Sequence, residues 1–320
     1  PLTIPGYTYN AEKSNASGTL TAEGLVLNLY YDRSEYPYEF RFLEQGTDKV
    51  LADPVTGSAR YQAQVTQKAK DIPGYTLVSP ENQAINIVIE DSADVANKNV
   101  RTFYYTENSV TIHYAVAMGD GTVEPVSETL KAVTGTAMGS QATPGENYRF
   151  DGWYKDAACT EPVDETWVGN GKITPAKGEN ELWVDGTTYY AKFVMNAVKV
   201  TVRKEVTGNF GDKSKYFKIT YGSGENDSIR IKNGEALELP MDVLVNSVLN
   251  LTEECEGYAA SAICKVGNDT IATASVVYAE AATKKNPTLT FNFNAEGEQL
   301  TGDAVIIITN YKEATPDTGV

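Results

Sequence analysis

VKVTVRKEVTGN (198–209), LNLTEECEGY (249–258) and VIIITNYKE (305–313) are the stretches whose alternation decides the fold of the C-terminal part of this chain. Successive side chains of an extended strand point to opposite faces. Val198, Val200, Val202 and Lys204 therefore fall on one face, and Lys199, Thr201, Arg203 and Glu205 on the other. Leu249, Leu251 and Glu253 share a face, and so do Ile306, Ile308 and Asn310. A lysine, a glutamate and an asparagine thus end three apolar rows and are expected to point inward. Each is costly to bury without a partner, so joining them would remove that cost.

Composition sets the limits of function. The 320 residues leave room for about two to four domains. A net charge of −16 and a pI near 4.6 argue against a nucleic-acid partner, which needs clustered Lys and Arg. The longest apolar run, AVIII (304–308), is far too short to span a bilayer. Pro1 is no natural initiator and no secretory signal follows it, so the chain reads as an excised fragment.

One His, three Cys and four Met leave little for metal, cofactor or redox chemistry, and none is expected. Cys159 is isolated. Cys255 and Cys264 flank the turn-like EGYAASAI (256–263) and either face each other across a hairpin as a disulfide or remain two half-buried thiols. His113 is the only imidazole, and the carboxylates are scattered, so no turnover enzyme is expected.

Short alternating runs rich in Val, Thr and Tyr predict β structure: VLNLYY (26–31), INIVIE (85–90), VRTFYY (100–105) and TLTFNFN (288–294). A weak repeat organises the first third. IPGYTYN (4–10) leads to LVLNLYYDR (25–33), and IPGYTLV (72–78) leads to NVRTFYYTEN (99–108). Strand-like YEFRFLEQGT (38–47) opens only the second copy, so 1–33 reads as the tail of a truncated repeat. These segments resemble the mucin-binding-protein (MucBP-like) repeats of Gram-positive surface proteins, which implies small β-grasp modules.

Residues 109–195 read differently. YRFDGWYKDAACTEPVDETW (148–167) and TTYYAKF (187–193) resemble the Listeria–Bacteroides repeat of bacterial surface proteins, another β-grasp-like module. All three Trp lie here. Trp153 and Trp167 are expected to form a small core. Trp183, in the polar stretch GENELWVDG (178–186), is the candidate for an exposed ligand contact.

Residues 196–313 have the strand spacing of an Ig-like β-sandwich, with DKSKYFKITY (212–221) and IKNGEALELP (231–240) as further strands. They resemble Cna protein B-type and related pilin domains. The resemblance implies an intramolecular isopeptide bond between Lys204 on the first strand and Asn310 on the last, assisted by the acid Glu253. Burial disfavours a charged lysine, and the neutral amine can attack the Asn310 side-chain carbonyl while Glu253 polarises it and shuttles a proton to the leaving ammonia. Glu254 takes that role if the strand slips by one. Asn292 and Asn294 are rival acceptors, but their parity opposes the row Leu289, Phe291, Phe293. The alternative is an ordinary Lys–Glu pair beside an edge Asn.

TPDTG, comprising Thr315, Pro316, Asp317, Thr318 and Gly319, resembles the LPXTG sorting signal with Thr in place of Leu. It implies a sortase and cell-wall peptidoglycan as partners. The expected whole is mostly β: an elongated, monomeric rod of small β-grasp-like modules followed by the sandwich. Its parts are 1–33, 34–108, 109–195, 196–313 and a signal remnant at 314–320. The expected function is an extracellular, wall-anchored adhesin or stalk that contacts host mucin or glycans. The alternatives are the anchoring region of a large surface enzyme, or a sortase-assembled pilin subunit with Lys70 or Lys155 as exposed acceptor.

Overall fold

The computed structural model describes residues 1–79, 83–92, 98–178, 180–224 and 226–313, so the TPDTG motif lies outside the described residues. The described chain is almost all β, in several small sheets, as its alternation predicts; the one helical element is a single 3-10 turn, Glu165–Trp167. It divides into two compact units. One comprises Pro1–His113, Pro125–Gly139 and Thr174–Thr188; the other comprises Tyr114–Glu124, Ser140–Ile173 and the chain from Tyr189 on.

In the first unit, a four-stranded sheet runs in the order Val50–Arg60, Glu35–Glu44, Val100–Glu107, Tyr75–Ser79. Glu35–Glu44 and Val100–Glu107 are parallel, and Phe40, Phe42, Phe103 and Tyr105 project from them into a core closed by Ile87 and Ile89. The Val50–Arg60 strand escapes sequence reading because Pro54 and Gly57 interrupt it. Both are tolerated for local reasons. The strand lies at the sheet edge, where a missing N–H costs no ladder bond, and a Cβ at Gly57 would meet the Tyr38 ring hydroxyl. In the first repeat copy the strands Tyr7–Asn10 and Tyr30–Arg33 pair, and one isolated bridge joins Thr21 to Gly24. Leu25, Val26, Leu27 and Leu29 stay exposed, held instead by Asn15, whose side chain bonds the backbone of Val26 and Asn28.

Trp183 is not the exposed contact its polar neighbours suggest. It is 7% exposed and its indole N–H donates to the Gly135 carbonyl at 2.9 Å. In the second unit Trp153 is core, edge-on to Tyr114 and donating to the Gly171 carbonyl, while Trp167 is half-buried against Tyr189.

The rest of the second unit is the sandwich. One sheet has the order Ala236–Glu238, Val200–Thr207, Ala304–Tyr311, Ala259–Val266, Asp269–Thr273; the other has Ser228–Ile231, Phe217–Thr220, Val248–Glu254, Lys285–Asn292, Ser275–Glu280. Val200, Val202, Ile306 and Ile308 of the first sheet pack with Leu249, Leu251, Leu289 and Phe291 of the second in one apolar core. Val200–Thr207 and Ala304–Tyr311 are neighbours and run parallel. The disulfide expectation fails here. Cys255 directly follows the strand Val248–Glu254 of one sheet, Cys264 sits in a strand of the other, and both are buried free thiols, as Cys159 is a free, half-buried one. The chain between them crosses the sandwich and makes no hairpin.

A buried acid absent from the sequence reading anchors the first unit. Glu107 accepts the backbone N–H groups of Val133 and Thr134 at 2.7 Å and the Thr134 hydroxyl at 2.9 Å. Burial alone would raise its carboxyl pKa, but these donors outweigh it and hold the group below the ordinary glutamate range. A depressed folded-state pKa contributes stability above the unfolded value and loses it as pH falls through the folded one. Glu107→Gln should therefore cost about 1–3 kcal/mol at neutral pH, and the gap from the parent should close in acid below the carboxylate range. Denaturant unfolding at the two pH values checks this.

Candidate functional site

The three inward rows meet at one end of the sandwich. Val200–Thr207 alternates buried and outward positions with Lys204 on the buried side, and the same holds for Glu253 in Val248–Glu254 and Asn310 in Ala304–Tyr311. Lys204, Glu253 and Asn310 are each 0% exposed. In the parallel ladder Lys204 stands opposite Ile308 and Val206 opposite Asn310. Asn310 is thus the diagonal neighbour of Lys204 on the same face, within reach of a long side chain. Glu253 enters from the facing sheet.

Lys204 Nζ lies 2.5 Å from Glu253 Oε1, and Asn310 Nδ2 donates to the same oxygen at 3.0 Å. One carboxylate oxygen therefore touches both the amine and the amide nitrogen. Glu253 Oε2 and Asn310 Oδ1 are buried with no hydrogen-bond partner. The Phe217 ring covers the amine, with its centroid 4.6 Å from Nζ. Burial pushes the Lys204 pKa below the ordinary lysine value, although the Glu253 carboxylate pulls it up.

The rivals face away. Glu254 is exposed and pairs with Lys218 at 3.0 Å. Asn292 and Asn294 are exposed as their parity requires. Of the two lysines expected to be exposed, Lys155 is; Lys70 is half-buried, donating to the Asp53 carbonyl at 2.7 Å and lying over the Phe42 ring. Among the described residues no cluster of His, Cys, Asp and Glu is placed to hold a metal, and no helix is long and apolar enough to cross a membrane.

The MucBP domain family matches residues 1–32 and 40–115. That match bears out the resemblance of the first third of the chain. Internalin J of Listeria monocytogenes serotype 4b is 29% identical over 154 residues, and Internalin J of a serovar 1/2a strain is also 29% identical over 154 residues. Each alignment takes in 45% of this chain but only 16% and 17% of those proteins. Among solved structures, the major pilin of Streptococcus pyogenes has a TM-score of 0.27 at 11% identity, covering 88% of this chain and 99% of that one. The open form of the pilus adhesin SpaC of Lactobacillus rhamnosus GG has a TM-score of 0.26 at 10% identity, covering 92% of this chain and 46% of that one. Structural likeness this loose carries no argument about the site.

The burial of the pair has an energetic signature. In an Asn310→Ala background, which lacks the amide, adding Lys204→Met strands the Glu253 charge and should cost about 3–5 kcal/mol. Adding Lys204→Met and Glu253→Leu together should cost clearly less. Urea unfolding of the three chains gives the comparison; an equal cost for single and double replacement would contradict the coupling.

Proposed function

We propose that the sandwich joins Lys204 to Asn310 through an intramolecular isopeptide bond, and that the chain is part of a covalently strengthened bacterial surface adhesin. The observation that carries the first half is the shared oxygen, Glu253 Oε1, in contact with both Lys204 Nζ and Asn310 Nδ2. The Lys204 ammonium gives a proton to Glu253, and the neutral amine attacks the Asn310 Cγ. Oε1 then carries a proton to Nδ2, the Cγ–Nδ2 bond breaks and ammonia leaves. Of the two protons Lys204 gives up, one leaves on the ammonia and the other stays on Glu253, so atoms and charge balance. Proximity fixed by the two strands supplies the effective concentration of the amine. The chemistry would occur once per molecule, as self-modification and not turnover.

The bond would matter under load. Val200–Thr207 opens the sandwich and Ala304–Tyr311 closes it, side by side and parallel, so pulling on the two ends shears that ladder. A covalent tie between its strands would bear the load in place of hydrogen bonds. It would also do a disulfide's work without an oxidising compartment, in a chain whose described cysteines are free.

The surface half rests on the MucBP match and the Internalin J similarity, which favour a Gram-positive extracellular protein whose MucBP modules contact host mucin or glycans. Wall anchoring by sortase through Thr315–Gly319 rests on the motif alone. The test of the cross-link is the intact mass of the parent beside Glu253→Ala under reducing conditions. The parent should be lighter than its sequence by one ammonia and the variant should not. A parent of full sequence mass would overturn the proposal.

A further inference from the structure

Cys255 is buried beside the same site. Two residues after Glu253, it continues the inward row at the end of Val248–Glu254. It is 5% exposed, and it packs with Val206, Phe217 and Tyr258 in a small apolar cluster distinct from the main core. Phe217 is the ring that covers the Lys204 amine, so thiol, amine and carboxylate share one enclosure. Within it, Glu253 Oε1 serves both Lys204 and Asn310, whereas the buried Oε2 has no partner. A carboxylate free to rotate would lose the single-oxygen bridge, because either oxygen could take either contact.

We infer that the Cys255 thiol is a positioning residue: its S–H turns onto Glu253 Oε2, unpartnered in the unreacted site, and so holds the carboxylate with Oε1 between the Lys204 amine and the Asn310 amide. The inference rests on the isopeptide reading of this site. Two further properties suit the role. Burial, and next the Glu253 charge, push the Cys255 thiol up to about 12, so the sulfur keeps its proton, remains a donor and does not compete with Lys204 as nucleophile. The enclosure also excludes water that would otherwise solvate Oε2.

The 320-residue chain is made by cell-free synthesis, quenched in acid at intervals, and the fraction that has lost ammonia is read by intact mass. Cys255→Ser keeps a donor; Cys255→Ala removes it; Cys255→Val removes it while filling the space. Both Ala and Val variants should cross-link about fivefold more slowly than the parent, the factor one neutral hydrogen bond carries. The Ser variant should match or exceed the parent. Equal rates for all four chains would overturn the positioning role, and so would slowing in Ala alone or in Ser as much as in Val, either of which marks packing. If the Ala and Val chains fail to fold, the Ser chain decides, since a rate well below the parent's would refute the donor role. A parent that never loses ammonia would instead refute the cross-link itself.

Discussion

The interaction on which the sandwich depends is the contact of Lys204, Glu253 and Asn310 with no access to water. A buried ion pair is a poor source of stability, since the desolvation of both charges roughly cancels their attraction. The pair here is also incompletely satisfied, with Glu253 Oε2 and Asn310 Oδ1 unpartnered. Such a site is costly to keep as it stands. On the proposed cross-linking, amine and amide would be exchanged for one neutral secondary amide, which would remove that cost.

Other buried polar groups in the chain make the contrast plain. Asn99 is equally enclosed, yet its amide oxygen accepts from Glu90 N–H and its nitrogen donates to the carbonyls of Pro37 and Glu90. Glu107 is bonded through both carboxylate oxygens. Asn99 is satisfied by backbone alone and Glu107 by backbone and the Thr134 hydroxyl, and both act as structural pins. At Lys204, Glu253 and Asn310 side chains meet side chains, two acceptors are left over, and the three come from strands far apart in sequence. The topology makes this possible, because the opening and closing strands of the sandwich are adjacent and parallel.

Much of this is legible in the sequence. Strand parity alone placed Lys204, Glu253 and Asn310 inward and Glu254, Asn292 and Asn294 outward, because a one-residue slip would expose a whole apolar row. What parity cannot see is which sheet a strand joins. Cys255 and Cys264 bracket what reads as a hairpin, but the chain between them crosses from one sheet to the other. Trp183 misled for a related reason: its neighbours in sequence are polar, while the carbonyl that its indole meets belongs to Gly135, 48 residues away. The Val50–Arg60 strand was hidden by Pro54, which only an edge position excuses. Cys255 itself could have been found, since it follows Glu253 by the two-residue period that located the other three.

The most direct measurement is a tryptic digest of the native chain read by tandem mass spectrometry. The account predicts a branched peptide in which the segment around Lys204 is joined to the segment around Asn310, one ammonia lighter than the two together, with no cleavage after Lys204. Recovery of two separate linear peptides, cut after Lys204 and carrying an intact Asn310, would contradict it.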